Sequence, residues 1–258
     1  MRGAGGADSA DSPGTVRAVR YAYLHGFASG PLAAKGQMFR ASFEQAGLRL
    51  ELPDLNQPSF ARLTLTAALD ALDRMDAACR RGANGAVAWR LIGSSLGGYL
   101  AARWAELRPD RVERLLLLSP ALDFPGVLAD LAGQRAMSRW RESGTWRCPG
   151  PDGSPCDVHW ALVEDARLHT AVPAVRCPTL ILHGRRDAVV PPSRIVAFGH
   201  SLHCRTVLVE DDHGLVASMP RAVALASDLF NLDLPPPPPP PPRVAQLDHS
   251  IERLPSRL

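Results

Sequence analysis

Residues 93–97 read Gly-Ser-Ser-Leu-Gly and place a serine at the centre of a G-x-S-x-G motif. The motif follows an apolar run at residues 87–92 and precedes a helical pattern of apolar residues. A strand, a sharp turn and a helix in this order present a serine hydroxyl at the end of the strand, and the glycines avoid clashes at the turn. Only Ser95 has Gly two positions before and two positions after it, so we predict Ser95, and not Ser94, as a nucleophile.

A serine hydroxyl is a weak nucleophile at neutral pH, so it needs a base to take its proton and an acid to orient that base. After a turn of this kind the acid and then the histidine follow in chain order, each in a loop after a late strand. Asp187 follows an apolar run at 179–182, and His213 follows a second run at 206–209. Three loops in the required order predict that Asp187 and His213 converge on Ser95.

Each of these residues also has a plainer interpretation. Asp187 alone is typical of a turn or a helix start, and His213 is one of eight histidines. Asp211 and Asp212 adjoin the predicted base and are alternative acids, although we expect them to shape its loop. Asp165 is a weaker substitute for the acid.

Acyl transfer also needs two N–H donors aimed at the oxygen that becomes negatively charged. In this arrangement Leu96, directly after the nucleophile, supplies one donor, and the loop after the first strand supplies the other. That loop reads Tyr-Leu-His-Gly-Phe over residues 23–27. We therefore predict an oxyanion hole from the amides of Leu96 and Phe27, with His25 and Ser94 as candidate substrate contacts. The alternative is a glycine loop in which His25 is structural.

Roughly sixty residues separate the strand that ends near Ser119 from the strand that starts near Thr179, far more than a crossover needs. We predict a lid over about residues 122–172, with a helix near 128–140, a hairpin at the Pro-Asp-Gly turn and a helix near 157–169. Trp140, Trp146 and Trp160 fall in this lid and are candidate substrate contacts. A small core belonging to the lid itself accounts for them equally well.

The rest of the chain alternates apolar, β-rich runs with helical patterns. Near-continuous apolar runs are typical of parallel strands that are covered on both faces. The alternation predicts an α/β fold, a doubly wound and mostly parallel sheet with a small lid insertion. The predicted strands are 19–23, 48–52, 87–92, 115–118, 179–182 and 206–209, and the predicted helices are 35–46, 61–81, 96–107, 192–200 and 220–229.

Composition divides the chain into three parts. Residues 1–17 are rich in Gly, Ala and Ser and predict a flexible leader, while residues 18–233 predict the folded domain. Eight prolines at 235–242 lack amide donors and predict a polyproline II rod within a disordered tail, 234–258. Such a rod could bind a protein with an SH3-like groove, but we expect it to be a spacer.

Charge and cysteine content bear on partners and location. A net charge of +3, from 29 basic and 26 acidic residues, argues against nucleic acid as a partner. No apolar run approaches the length of a membrane span, and no secretory signal is visible. Five cysteines, an odd number, predict reduced thiols in a cytoplasm. Cys148, Cys156 and His159 lie near one another in sequence without an evident fourth ligand, so no metal site is predicted.

Together these motifs resemble those of α/β-hydrolase fold serine hydrolases, over about residues 20–231. The resemblance is carried by residues 23–27, 92–99, 182–187 and 212–214, which read Tyr-Leu-His-Gly-Phe, Ile-Gly-Ser-Ser-Leu-Gly-Gly-Tyr, Leu-His-Gly-Arg-Arg-Asp and Asp-His-Gly. More narrowly, the segment 23–35 and the Gly-Ser-Ser-Leu-Gly-Gly-Tyr motif are similar to small bacterial YqiA-like esterases. The lid is longer than these compact esterases lead us to expect, and the polyproline tail is not a feature of that family.

The resemblance implies hydrolysis of a small-molecule carboxylic ester through an acyl-serine intermediate, without metal or cofactor. It implies Ser95 as nucleophile, Asp187 as acid and His213 as base, with the Phe27 and Leu96 amides as the oxyanion hole. An acyl-thioesterase or a lipase-like acyl hydrolase is the alternative within the same chemistry. A non-catalytic binding scaffold on the same fold is the alternative of another class.

Overall fold

The structure is a computed structural model that describes residues 17–82, 87–201 and 204–239. Residues 1–16 of the predicted leader and 240–258 of the predicted tail lie outside the described residues. The division into leader, domain and tail therefore stays a prediction.

A six-stranded parallel sheet forms the centre of the molecule, in the order β2-β1-β3-β4-β7-β8. Its apolar strands are buried because helices cover both faces, as the near-continuous apolar runs predict. The predicted fold class is confirmed. The six strands are β1 (Ala18–Leu24), β2 (Leu50–Glu51), β3 (Val87–Ser94), β4 (Val112–Leu118), β7 (Thr179–Gly184) and β8 (Arg205–Val209).

Helices lie on the two faces of the sheet and create two hydrophobic cores. One core joins α1 (Ala34–Gln45) and α8 (Met219–Phe230) to residues such as Ile92 and Leu116. The other core joins α2 (Leu65–Gly82), α3 (Leu96–Leu107) and α7 (Pro192–Ser201) to the opposite side of the same strands. Neighbouring residues along a strand point to opposite faces, so helices on both faces are needed to bury them. This is the doubly wound arrangement.

The second predicted helix is shorter than expected. A 3-10 turn at Phe60–Arg62 is separate from α2, which starts at Leu65. Thr64 ends the irregular segment, since its hydroxyl accepts a hydrogen bond from the Ala67 amide at 3.1 Å and caps the new helix. The prediction of one helix over 61–81 was wrong at its start.

The lid differs from its prediction in two ways. The helix expected near 128–140 is two helices, α4 (Phe124–Ala132) and α5 (Gln134–Ser143), because Gly133 between them has a φ of 75°. The hairpin is present as β5 (Thr145–Pro149) and β6 (Pro155–His159). The following helix, α6 (Ala161–Ala166), starts later than predicted, because β6 continues to His159 and buries Val158 completely.

The parallel sheet determines where chemistry can occur. The carboxyl ends of β1, β3, β7 and β8 all lie on the same side of the sheet, which is where ligands bind in open α/β sheets. Within the part of the chain that the structure describes, no helix is long and apolar enough to cross a membrane.

Candidate active site

The turn that carries Ser95 is tightly packed. Ser95 lies between β3 and α3 with φ 53° and ψ −118°, a conformation that L-residues rarely adopt. Its amide donates to the Leu118 carbonyl at 2.9 Å, and its carbonyl accepts the Ala121 amide at 3.0 Å. A side chain at Gly97 would overlap the Leu24 carbonyl, so only glycine lets α3 approach the end of β1. The local geometry is that of a strained strand–turn–helix with Ser95 at the turn.

His213 joins Ser95 to Asp187. Its Nε2 lies 3.0 Å from Ser95 Oγ, and its Nδ1 lies 2.8 Å from Asp187 Oδ2. All three side chains are buried, and they come from the ends of three strands, β3, β7 and β8. The structure thus brings together the three residues that the sequence predicts to converge.

The hydrogen bonds around Asp187 assign the roles of the two histidine nitrogens. Asp187 Oδ1 accepts the amides of Val189 at 2.9 Å and Val190 at 2.8 Å, which leaves Oδ2 for His213. Burial acts to raise the pKa of Asp187, but its hydrogen bonds with His213 and with the Val190 amide hold the pKa below its ordinary value. An ionised Asp187 only accepts, so Nδ1 of His213 donates to it and Nε2 accepts from the Ser95 hydroxyl.

The alternative acids have other partners. Asp211 accepts the amides of Asp212 at 2.9 Å and Ser218 at 2.8 Å, and Asp212 accepts the Gly214 amide at 2.9 Å. These bonds stabilise the loop on both sides of His213, which is the function the sequence favoured for them. Asp165 instead accepts the Thr66 amide at 3.0 Å near the start of α2.

The predicted oxyanion donors lie at the nucleophile turn. A Cβ at Gly26 would lie 3.2 Å from Ser95 Cβ, so the backbone just before Phe27 packs directly on the serine. Within the described residues, neither the Phe27 nor the Leu96 amide donates a hydrogen bond to another group. Leu96 is the first residue of α3, where helix amides lack intrahelical partners. Both N–H groups are thus available to a ligand.

His25, a candidate substrate contact, has structural bonds on both ring nitrogens. Its Nε2 accepts the Leu55 amide at 3.0 Å, so Nδ1 carries the proton and donates to the Gly26 carbonyl at 3.0 Å. Burial lowers the pKa of His25, which favours this neutral form. The ring therefore connects the turn that carries Phe27 to the segment after β2. Ser94, the other candidate, is the buried last residue of β3.

The three lid tryptophans form one aromatic cluster. Trp140 is buried, with its ring centroid 5.0 Å from that of Trp146 and 5.6 Å from that of Trp160. Trp146 also stacks on Phe27, with ring centroids 6.5 Å apart and planes at 6°. The cluster connects the lid to Phe27, which agrees with the lid-core interpretation.

One residue of the site was missed by the sequence analysis. His183 is fully buried near the end of β7, with Nε2 2.9 Å from the Val190 carbonyl and 3.4 Å from Asp187 Oδ2. Burial lowers the pKa of His183 and favours the neutral ring, although the nearby Asp187 acts in the opposite direction. The only sequence signal was the position of this histidine in the Leu-His-Gly-Arg-Arg-Asp segment, where its type alone assigned no role.

A cavity of about 840 Å³ opens beside the turn that carries Phe27. Its walls are residues of the loop 28–34, the segment 54–60 and the hairpin tip 150–156. Across the described residues, no group of three or more His, Cys, Asp or Glu side chains is placed to hold a metal ion. Cys148 and Cys156 lie directly opposite each other in the hairpin as free thiols.

Two solved structures share this fold. Est1E from Butyrivibrio proteoclasticus superposes with a TM-score of 0.65 and 19% identity, covering 83% of this chain and 89% of that one. Alpha/beta hydrolase domain-containing protein 10 from mouse superposes with a TM-score of 0.63 and 19% identity, covering 82% and 89%. At this identity the likeness establishes the α/β-hydrolase fold.

Sequence similarity extends to a curated relative over part of the chain. The mitochondrial palmitoyl-protein thioesterase ABHD10 of Homo sapiens is 32% identical over 110 residues, which is 39% of this chain and 35% of that protein. The chain therefore matches about a third of the relative's length. The profile of the Uncharacterised protein family (UPF0227) matches residues 20–227, four-fifths of the chain, and the chain belongs to this YqiA-like family of α/β-hydrolase fold proteins.

Proposed function

We propose that this protein is a serine hydrolase that cleaves carboxylic esters through an acyl-serine intermediate. The observation that supports this most directly is the hydrogen-bonded series of Asp187, His213 and Ser95, with distances of 2.8 and 3.0 Å. A buried carboxylate, an imidazole and a serine at a strained turn is the arrangement that activates a serine hydroxyl.

In the first half of the reaction Ser95 Oγ attacks the acyl carbon while His213 Nε2 takes the hydroxyl proton. The carbonyl oxygen becomes negatively charged and accepts hydrogen bonds from the amides of Phe27 and Leu96. Ionised Asp187 stabilises the imidazolium and keeps Nε2 directed at the serine. His213 then gives its proton to the leaving oxygen as the ester C–O bond breaks, which leaves acyl-Ser95.

In the second half a water molecule attacks the acyl-serine. His213 Nε2 removes a proton from the water, the same two amides hold the second oxyanion, and the proton returns to Ser95 Oγ as the acid leaves. Each oxyanion donor typically lowers the barrier by about 3 kcal/mol. No further reactant is needed, because the atoms of one water balance the products.

A thioester is the second candidate substrate. It is favoured by the similarity to a protein named a palmitoyl-protein thioesterase. The same residues perform the reaction, but a thiolate leaves with less help from a proton than an alkoxide does. Matched oxygen and sulfur esters of one acyl group therefore separate the two candidates, since a thioesterase should have the higher kcat/KM on the sulfur ester.

The deciding experiment is labelling with a fluorophosphonate probe, which reacts with activated serines. Wild type should be labelled, and Ser95→Ala should lose the label completely. Ser94→Ala should keep the label, which tests the reading frame of the motif. A folded wild-type protein that takes no label would contradict the proposal and favour the binding scaffold.

The setting of the enzyme is part of the same proposal. We expect a cytoplasmic bacterial enzyme on small acyl esters, with the proline-rich tail as a spacer and no nucleic-acid partner. Removal of residues 235–258 should leave turnover of a soluble ester unchanged. A loss of turnover on removal would show that the tail takes part in the function of the domain.

A further inference from the structure

The cavity beside the oxyanion turn lies on a defined side of the nucleophile. Its walls follow β1 and β2, since the loop 28–34 comes after β1 and the segment 54–60 comes after β2. In the sheet order β2-β1-β3-β4-β7-β8, these two strands lie on one side of β3, which carries Ser95. Asp187 and His213 follow β7 and β8 on the opposite side.

This placement distinguishes the two ends of an ester. The leaving oxygen has to face His213 Nε2, because His213 returns the proton to it. The acyl chain leaves the carbonyl carbon in another direction, so the space across Ser95 from His213 is available to it. The cavity begins at Ala28, next to the oxyanion residue Phe27, on that far side.

The walls of the cavity indicate what kind of acyl chain it takes. At about 840 Å³ it is within the usual size of a small-molecule site. The apolar wall residues are Ala28, Pro31, Leu32, Ala33, Ala34, Pro58, Phe60 and Pro151. Asp54 and Asp152 are the charged residues of the wall, and none of the described residues that line it is Lys or Arg.

Asp152 is ionised at neutral pH. Its Oδ1 accepts the Ser154 hydroxyl at 2.6 Å and the Ser154 amide at 2.9 Å. These two bonds lower the pKa of Asp152 below its ordinary value. A negative charge at the hairpin tip repels a second negative charge in the cavity, although solvent weakens the effect.

We propose that this cavity is the acyl-chain site, and that it selects uncharged acyl chains of medium length over chains that end in a carboxylate. The inference rests on the proposed function and adds the substrate class to it. It concerns the side of the ester away from His213, so it makes no statement about the alcohol or thiol.

Gly30 allows the site to be blocked. A Cβ at Gly30 would lie 3.9 Å from Pro151 Cβ, an ordinary contact, so a larger side chain there extends between the loop and the hairpin tip. Gly30→Leu should lower kcat/KM for p-nitrophenyl octanoate about ten-fold relative to p-nitrophenyl acetate, because the longer chain loses its space. Gly82→Leu is the matched control, since none of the described residues lies within 4 Å of a Cβ built at the end of α2.

A second blocking variant keeps the test decisive if Gly30→Leu does not fold. Ser59 is an exposed residue of the opposite wall, and its side chain does not cap the 3-10 turn that follows it. Ser59→Trp should therefore fold and should also depress the octanoate-to-acetate ratio. Two folded blocking variants with an unchanged ratio would overturn the assignment of the cavity to the acyl chain.

The charge selection is tested with half-esters of matched length. The p-nitrophenyl half-ester of suberic acid carries eight carbons and a terminal carboxylate, and octanoate is its uncharged counterpart. Asp152→Asn should raise the suberate-to-octanoate ratio of kcat/KM about two- to five-fold at low salt, and the gain should shrink at high salt. Asp157→Asn is the control, because Asp157 pairs with Arg147 on the same hairpin and does not line the cavity.

The outcomes separate this inference from the proposed function. An unchanged suberate-to-octanoate ratio in Asp152→Asn would overturn the charge selection, while fluorophosphonate labelling of Ser95 would still support the serine hydrolase. A wild-type protein that is neither labelled nor active on any of the three p-nitrophenyl esters would instead contradict the proposed function itself.

Discussion

His183 lies beside the same buried carboxylate oxygen of Asp187 that contacts His213. Oδ2 of Asp187 lies 3.4 Å from His183 Nε2 and 2.8 Å from His213 Nδ1. His183 Nε2 donates to the Val190 carbonyl at 2.9 Å, while the Val190 amide donates to Asp187 Oδ1 at 2.8 Å. His183 therefore stabilises the segment that carries Asp187, and it does not reach Ser95.

Replacement of His183 should act through the position of Asp187. His183→Leu should lower kcat several-fold with little change in KM, and should cost about 1–3 kcal/mol of stability because the buried Val190 carbonyl loses its donor. His183→Gln keeps an N–H donor and should recover most of the kcat. Steady-state kinetics and urea unfolding measure both effects. Equal losses of kcat in the two variants would argue against a hydrogen-bonding role.

The carboxylate of Asp187 should matter more for rate than for binding. Asp187→Asn keeps the shape of the side chain, but its amide can donate to His213 Nδ1 and turn the wrong tautomer towards Ser95. By analogy with the Asp-to-Asn change in the serine-protease triad, where the cost is about 10⁴ in kcat, we expect a loss of about that size here. Pre-steady-state kinetics on a p-nitrophenyl ester measures the loss. A decrease of less than ten-fold would indicate that another acid replaces Asp187.

The turn around Ser95 is the part of the site that the sequence predicts best. Its strand, glycines and helix are consecutive, so residues 87–107 contain the whole motif. His25 illustrates the opposite case, because its role depends on the Leu55 amide thirty positions away. The cavity likewise consists of three segments that become neighbours only in the folded chain.

The lid shows where local patterns mislead. The sequence predicts one helix over about residues 128–140, yet Gly133 adopts a φ of 75° and separates α4 from α5. The hairpin strand β6 extends to His159 because burial of Val158 outweighs the helical pattern of the residues around it. The glycine is a local signal for the end of α4, whereas the extent of β6 depends on tertiary packing.

Two buried histidines should make stability depend on pH. Burial lowers the folded-state pKa of both His25 and His183 from an ordinary value of 6.5. A group with a lowered folded pKa stabilises the fold fully above its unfolded pKa, and that stability is lost as pH falls towards the folded pKa. The free energy of unfolding should therefore decrease as the pH drops below 6.5. Urea titrations between pH 7.5 and 4.5 measure this slope.

The contribution of His25 can be separated from the rest. His25→Gln removes one titrating group, so the decrease below pH 6.5 should become shallower. His200→Gln is the control, because His200 is exposed at the end of α7. A slope that is identical in wild type and His25→Gln would contradict the assignment of a neutral, buried His25.

Gly97 should tolerate no side chain. A Cβ at this position would overlap the carbonyl of Leu24 and come within 2.5 Å of the carbonyl of His25, and both are backbone atoms that cannot move independently. Gly97→Ala should therefore displace α3 or β1, lower the melting temperature by several degrees and abolish labelling of Ser95 by a fluorophosphonate. Gly82→Ala, whose added Cβ would meet none of the described residues within 4 Å, should do neither. A Gly97→Ala protein with wild-type labelling would show that the turn is looser than the packing indicates.

Trp146 offers a test of the two interpretations of the lid tryptophans. It stacks on Phe27 and contacts Trp140, and it is not a residue of the cavity wall. Trp146→Leu should loosen the Phe27 turn and lower kcat several-fold by the same factor for acetate, butyrate and octanoate esters, because the oxyanion donor serves every acyl group alike. If Trp146 bound the acyl chain, Trp146→Leu would instead lower kcat/KM more as the acyl chain becomes longer. Measurement of the three esters in Trp146→Leu and in Gly30→Leu separates the two effects, since only the cavity variant should change the chain-length profile.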